Sequence, residues 1–185
     1  MDRILVPALI VGLAVYGVCL LVFLRRKSLR RNILFCITFI YGAAVLFSCL
    51  QMTLFQPHMR TMPMTAETVA EAFRQIGWIP LQNLFGSISR IIREHQWNHL
   101  FYVLVQPIAL LMPLGILLPL LFPRMKTGRM VLTAFVVPLA IELLQLWENL
   151  TFRFHWVSID DVLLEAVGCL LAYGVFALAR RQYRR

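Results

Sequence analysis

Five stretches of this chain are almost unbroken in apolar residues, at about 4–24, 33–53, 100–122, 130–150 and 159–179. Each approaches the length of about 20 residues that an α-helix needs to cross the hydrocarbon core of a bilayer. The pattern predicts an all-α, polytopic transmembrane bundle of five spans, forming a single membrane domain over 1–185. The first run is closed by Arg25-Arg26-Lys27. A cleaved leader would carry its basic residues before a shorter apolar core, so this run is expected to be a retained helix. The second run holds Thr38, Tyr41, Ser48, Cys49 and Gln51, which suggests a helix packed inside the bundle. The third contains Pro107, Pro113 and Pro119. Proline removes a backbone donor and crowds the preceding turn, so a kink or break is expected there. In the fifth, Gly168, Ala172 and Gly174 offer small surfaces for another helix to approach.

Composition agrees with the pattern. Of 185 residues, 60% are hydrophobic and 15% are charged, against about 45–50% and about 25% in soluble domains. That excludes a soluble globular fold, and the low charge content excludes intrinsic disorder. Cys19, Cys36, Cys49 and Cys169 all fall in apolar runs at spacings that suit neither a disulfide framework nor a metal.

The net charge of +9 would suggest nucleic acid in a soluble protein. Here it becomes an orientation signal. Arg25, Arg26, Lys27, Arg30 and Arg31 follow the first span. Arg124, Lys126 and Arg129 follow the third, and Arg180, Arg181, Arg184 and Arg185 follow the fifth. With five spans, all of these fall on one side. Basic residues concentrate near cytoplasmic helix ends, so the N-terminus is placed outside and the C-terminus inside. A nucleic-acid partner is not expected, and the bilayer is the first partner.

The long outer segment 54–99 contains two stretches with helical spacing. One is 65–76, with a Thr65 cap and apolar Val69, Ala72, Phe73 and Ile76. The other is 87–94, through Ile88, Ile91 and Ile92. Both read as short helices lying on the outer leaflet or capping the bundle, with a lid over a ligand site as the alternative.

Ionisable residues inside a membrane are costly and therefore mark candidate sites. Glu142 and Gln145 stand three apart on one face of the fourth span. Asp161 and Glu165 stand four apart on the fifth. Asp160 points about 100° away from Asp161. Acidic residues at a helix N-terminus favour its dipole, and Ser158 is a cap candidate there. That reading accounts for Asp160 and Asp161 but leaves Glu165, one turn deeper, without a structural reason. Glu142 is expected to be either protonated or paired with an arginine, with Arg153 and Arg93 as the candidate partners. Glu148 lies near the end of its span, where a charge is cheap. His58, His95, His99 and His155 all fall on the outer side. The His95-x-x-x-His99 spacing is too weak a pattern to assign a metal, so neither metal nor cofactor is expected. Trp97 and Trp156 suit the aromatic belt at the interface.

The C-terminal half resembles the VanZ-like family of small membrane proteins over roughly 98–173. The resemblance rests on Pro113-Leu114-Gly115 with Leu117-Leu118-Pro119, then Glu142-x-x-Gln145, then Ile159-Asp160-Asp161, with Leu163, Leu164 and Gly168 following at the family spacing. Family members usually carry Asn at the position of Glu165. They often carry Arg at the position of His155, where this chain has Arg153 two residues earlier. Gln106-Pro107 replaces a family Asn. Ile79-Pro80 and Asn83-Leu84-Phe85 echo an outer-loop element. The resemblance implies a multi-pass protein of the bacterial cytoplasmic membrane, in a family whose founding member is associated with resistance to glycopeptide antibiotics, teicoplanin above all.

The expected function is a non-enzymatic envelope protein. An acidic groove at the outer leaflet would bind a lipid-linked cell-wall precursor or a lipoglycopeptide. Its candidate ligand-binding residues are Glu142, Gln145, Asp160, Asp161, Glu165, His155, Arg153, Asn98 and His99. A lipid-modifying enzyme and a proton-coupled flippase are the alternatives. The chain lacks a nucleophile elbow, an HExxH motif and a phosphate loop, and five spans are few for a transporter.

Overall fold

The computed structural model describes residues 28–49, 65–152 and 157–183. Contacts divide the chain into two units, Met1–Met59 and Arg60–Arg185. Among the described residues there are helices and no strands. Four helices are long and apolar enough to cross a membrane. The run at 4–24, expected to be the first span, lies outside the described residues.

Within the first unit, α1 covers Leu29–Cys49. It begins earlier than the apolar run predicts, taking Arg30 and Arg31 into its first turn. Ile33, Ile37, Ile40, Leu46 and Phe47 are exposed, and Val45 is buried. The Thr38 hydroxyl donates to the Leu34 carbonyl at 2.8 Å, which satisfies a polar group within the helix itself.

The second unit opens with two short helices. α2 is Ala66–Arg74. Thr65 caps it: the Thr68 N–H donates to the Thr65 hydroxyl oxygen, and the Thr68 hydroxyl oxygen accepts from the Thr65 N–H. α3 is Gln82–Glu94, one and a half turns longer at its start than the spacing of Ile88, Ile91 and Ile92 suggests. A short helix α4, Trp97–Leu100, leads through a wide turn over Phe101–Val105 into α5, Gln106–Leu121. In that turn the Gln106 N–H donates to the Phe101 carbonyl, five residues back. Pro107 follows directly. It has no N–H to offer, and its ring would crowd the carbonyl four residues earlier. A wider turn at this point relieves that crowding. The expected disruption of this span is therefore confined to one turn, and Pro113 and Pro119 lie inside a continuous helix. α6, Thr127–Phe152, and α7, Ile159–Tyr183, complete the unit.

α7 packs against both α5 and α6. Contacts between α5 and α7 advance in the same direction along both helices. Ile108 meets Gly168, and Gly115 meets Cys169, Ala172 and Tyr173. The two helices therefore run parallel, and α6 returns between them in the chain. The approach is backbone to backbone. A methyl group on Gly168 would run into the Ile108 carbonyl, and one on Gly115 would run into the Cys169 carbonyl. Gly168 and Ala172 thus work as the small-x-x-x-small surface expected of them, while Gly174 faces open space. Leu111, Cys169, Ala166 and Ala172 fill the contact. Outward, Leu132, Val136, Leu143, Leu171, Val175 and Leu178 remain exposed, a surface suited to lipid.

α2 packs on α6, and α3 packs on α4, the wide turn and α7. The turn between α2 and α3 is tied to the start of α7. The Gly77 N–H donates to the Val157 carbonyl at 3.0 Å, and the Ile159 N–H donates to the Gly77 carbonyl at 3.2 Å. The Asp160 carboxylate then accepts from the N–H groups of Leu81 and Leu84 at the start of α3. An acidic group here satisfies donors that the helix leaves unpaired and opposes the positive end of its dipole.

Two outcomes are expected. Gly168→Val should lower the stability of detergent-solubilised protein by about 1–3 kcal/mol through overpacking, while Gly174→Ala should leave it at or above wild type, both read as melting temperature. Asp160→Ala should cost about 1–3 kcal/mol by stripping buried donors of their acceptor. It should also open the 75–82 turn to protease.

Candidate functional site

The acidic end of the second unit is assembled by three short pieces of chain. Ser158 is the centre. Its hydroxyl oxygen accepts the Asp160 N–H at 3.2 Å, which is the cap expected for α7. Its hydroxyl also lies 3.4 Å from the Asn83 side-chain amide, which donates to it. Its own N–H donates to the Glu142 carboxyl at 3.2 Å. Ser158 therefore ties α6, α7 and the start of α3 together, and its residue is buried.

The expected site residues separate into distinct roles. Asp160 is 3% exposed, and its carboxylate is consumed by the α3 cap. Glu142 is 5% exposed and is held by Ser158. Its expected partner Arg93 instead lies exposed in the last turn of α3. Asp161 is half-buried, and its N–H donates to the Ser158 carbonyl at 3.2 Å. Glu165 is 4% exposed, and its Oε2 has no hydrogen-bond partner among the described residues. Asp161 interacts electrostatically with both Glu142 and Glu165, and Glu165 with Glu142. These three carboxyls therefore share one local field. Gln145 is half-buried on the same helix as Glu142.

Asn98 and His99 are exposed at the start of the third apolar run. Arg153 and His155, with Trp156, lie outside the described residues. Among the described residues, no group of three or more His, Cys, Asp or Glu side chains is arranged to hold a metal ion. The chemistry this end offers is therefore hydrogen-bond acceptance by carboxyl oxygens at the edge of an apolar bundle.

Two buried polar residues were not among the candidates. Glu148 is 1% exposed and Asn149 is 4% exposed. Glu148 is thus no inexpensive interfacial charge, because its side chain is closed off from the surroundings. A signal for Asn149 exists in the sequence: Glu142, Gln145 and Asn149 fall at i, i+3 and i+7, one face of a helix. Leu81 and Leu84 were also missed, since they contribute through backbone N–H groups that side-chain chemistry does not announce. Leu81 adopts a left-handed backbone, φ 67°, at a cost of about 1–2 kcal/mol for a residue with a Cβ. The bond to Asp160 offsets that cost.

Around this end, Trp78, Ile79, Phe85, Ile92 and Trp97 are exposed on the segment 78–92 and the adjoining α4. Such a collar suits the bilayer interface, where amphipathic aromatic rings accumulate.

Compared with known proteins, the family model for VanZ/LLP1 matches residues 46–180. No curated protein and no solved structure matches the chain. The matched residues contain α2 to α6, nearly all of α7, the Ser158 junction and every carboxyl of the acidic end. On that match and on its apolar spanning helices, the chain belongs to the VanZ/LLP1 family of membrane proteins.

Proposed function

We propose that this is a multi-pass protein of the bacterial cytoplasmic membrane. It binds the polar head of a lipophilic or lipid-linked ligand at its acidic end, and by doing so protects the cell envelope against glycopeptide antibiotics. The observation that carries the reading is Glu165. A buried carboxyl oxygen without a partner is costly, and in this chain it stands beside Asp161, which is half open to the surroundings. The pair accepts hydrogen bonds, so the matching group is a donor: an amine, an amide or a hydroxyl on an amphiphile. The apolar part of that amphiphile would lie along the exposed collar of Trp78, Phe85 and Trp97. A lipoglycopeptide and a lipid-linked cell-wall precursor both have this character. Glu142 and Asp160 take supporting roles, since backbone N–H groups engage both Asp160 oxygens and one oxygen of Glu142.

The reading requires the acidic end to face outward, with five spans and the C-terminus inside. The basic residues of 124–129 and of the end of α7 favour that orientation. Single cysteines tested on a background lacking the native four should settle it. A cysteine at His95 should react with an impermeant maleimide on intact cells. Cysteines at Lys126 and Tyr183 should react only after lysis, and the reverse pattern would remove the outer-leaflet site.

Binding is tested with purified protein and a fluorescent lipoglycopeptide, alongside susceptibility of cells expressing each variant. Loss of a charge-assisted hydrogen bond removes about 1.5–3 kcal/mol, so Glu165→Gln should weaken binding roughly 10- to 100-fold. Asp161→Asn should act in the same direction, and protection should fall with affinity. Unchanged affinity and protection in the double variant, at wild-type abundance, would sink the site.

A further inference from the structure

The opposite end of α7 carries a second feature that the acidic end does not explain. Beyond the glycine contact, α5 and α7 part, and a cavity of about 530 Å³ opens between them. Pro119, Phe122, Tyr173 and Phe176 line it, together with Arg180 and Arg181. The physical origin is local. α5 ends at Leu121, and Pro123 turns the chain away, while α7 continues to Tyr183. The last turns of α7 therefore lose the neighbour that fills the space higher up. Thr127 and Tyr173 share a hydrogen bond at 3.1 Å, which ties the start of α6 to the same end.

The charge of this cavity is one-sided. Its lining, drawn from 119–125 and 173–181, carries Arg180 and Arg181 and, among the described residues, not one Asp or Glu, while Arg124, Lys126 and Arg129 stand nearby in the chain without lining it. Two guanidinium groups in one lining with aromatic rings and proline form an amphipathic site. Guanidinium binds phosphate through paired N–H groups. The apolar walls suit an acyl chain or a glycerol backbone, and Val175 and Leu178 continue an exposed apolar path along α7. Basic clefts between spanning helices at a membrane surface suit anionic headgroups.

We propose that this cleft is a binding site for one anionic glycerophospholipid. Its phosphate is held by Arg180 and Arg181, and its apolar part lies against Phe122 and Phe176. The site is distinct from the acidic end, since 15 residues of helix at about 1.5 Å each separate Glu165 from Arg180. It also does not depend on the ligand proposed there.

Native mass spectrometry of the full-length protein, titrated with phosphatidylglycerol or with phosphatidylcholine, tests this. The expected result is one retained phosphatidylglycerol and at least tenfold weaker retention of phosphatidylcholine. Arg180→Gln with Arg181→Gln should weaken phosphatidylglycerol binding at least tenfold. Arg124→Gln with Arg129→Gln makes the same change in net charge outside the cavity lining and should alter it less than threefold. Ala177→Trp keeps every charge but fills the cleft, and should also abolish retention. Equal losses from the two arginine pairs would show only a general attraction to basic charge and would overturn the proposal. So would retention unchanged by Ala177→Trp, or displacement of the lipid by millimolar inorganic phosphate, which would mark a soluble-anion site.

Discussion

The contact between α5 and α7 is made by backbone, and most of the second unit depends on it. In a bilayer the hydrophobic effect does little to hold helices together, because lipid is as apolar as leucine. Association has to come from close packing. Gly115 and Gly168 remove the atoms that would otherwise hold the helices apart, and each sets its neighbour's carbonyl where a side chain would be. Buried Leu111 and Cys169 then fill the seam. Because the two helices run parallel, the tight zone near one end fixes where they separate at the other. The close seam and the open basic cleft are two consequences of one arrangement.

The acidic end is held by a different device. There the segment of α2 and α3 is anchored by polar bonds to the start of α7. Gly77 exchanges backbone bonds with Val157 and Ile159, Asp160 caps α3, and Ser158 joins α6 to α7. These bonds lie in a low-dielectric setting, where an unmade bond is expensive and a satisfied network is rigid. The carboxyls of this end therefore divide by partner. Two are engaged with backbone donors, and Glu165 keeps an oxygen without one. Adjacent residues with the same chemistry, Asp160 and Asp161, end up with unlike surroundings because a helix turns about 100° per residue.

Much of this was legible from the chain alone. Apolar run length marked 100–122, 130–150 and 159–179, and the spanning stretches Trp97–Leu121, Thr127–Leu150 and Ile159–Tyr183 begin within three residues of those starts. Thr65 announced the start of α2, and Ser158 announced the cap of α7. The spacing of Gly168 and Ala172 announced a close helix contact. Such features are local: they depend on composition or on neighbours within a turn or two. The extended start of α3 was not legible, because Leu81 enters it from a left-handed conformation that only a bond to Asp160 makes acceptable. The burial of Glu148 was not legible either, because burial depends on what other segments pack there and not on a place near the end of a span.

The sequence by itself determined the membrane class, the spanning lengths, the charge asymmetry between the two ends and the presence of costly acidic residues among apolar ones. Those properties follow from transfer free energies and helix periodicity, which act residue by residue. The tertiary structure alone decided which carboxyl caps a helix, which rests on Ser158 and which is left with an open oxygen. It also decided that Arg180 and Arg181, unlike Arg124 and Arg129, border a cavity. Both outcomes depend on which backbone groups distant segments bring within hydrogen-bond reach and on where two helices stop touching, and no single stretch of chain contains that information.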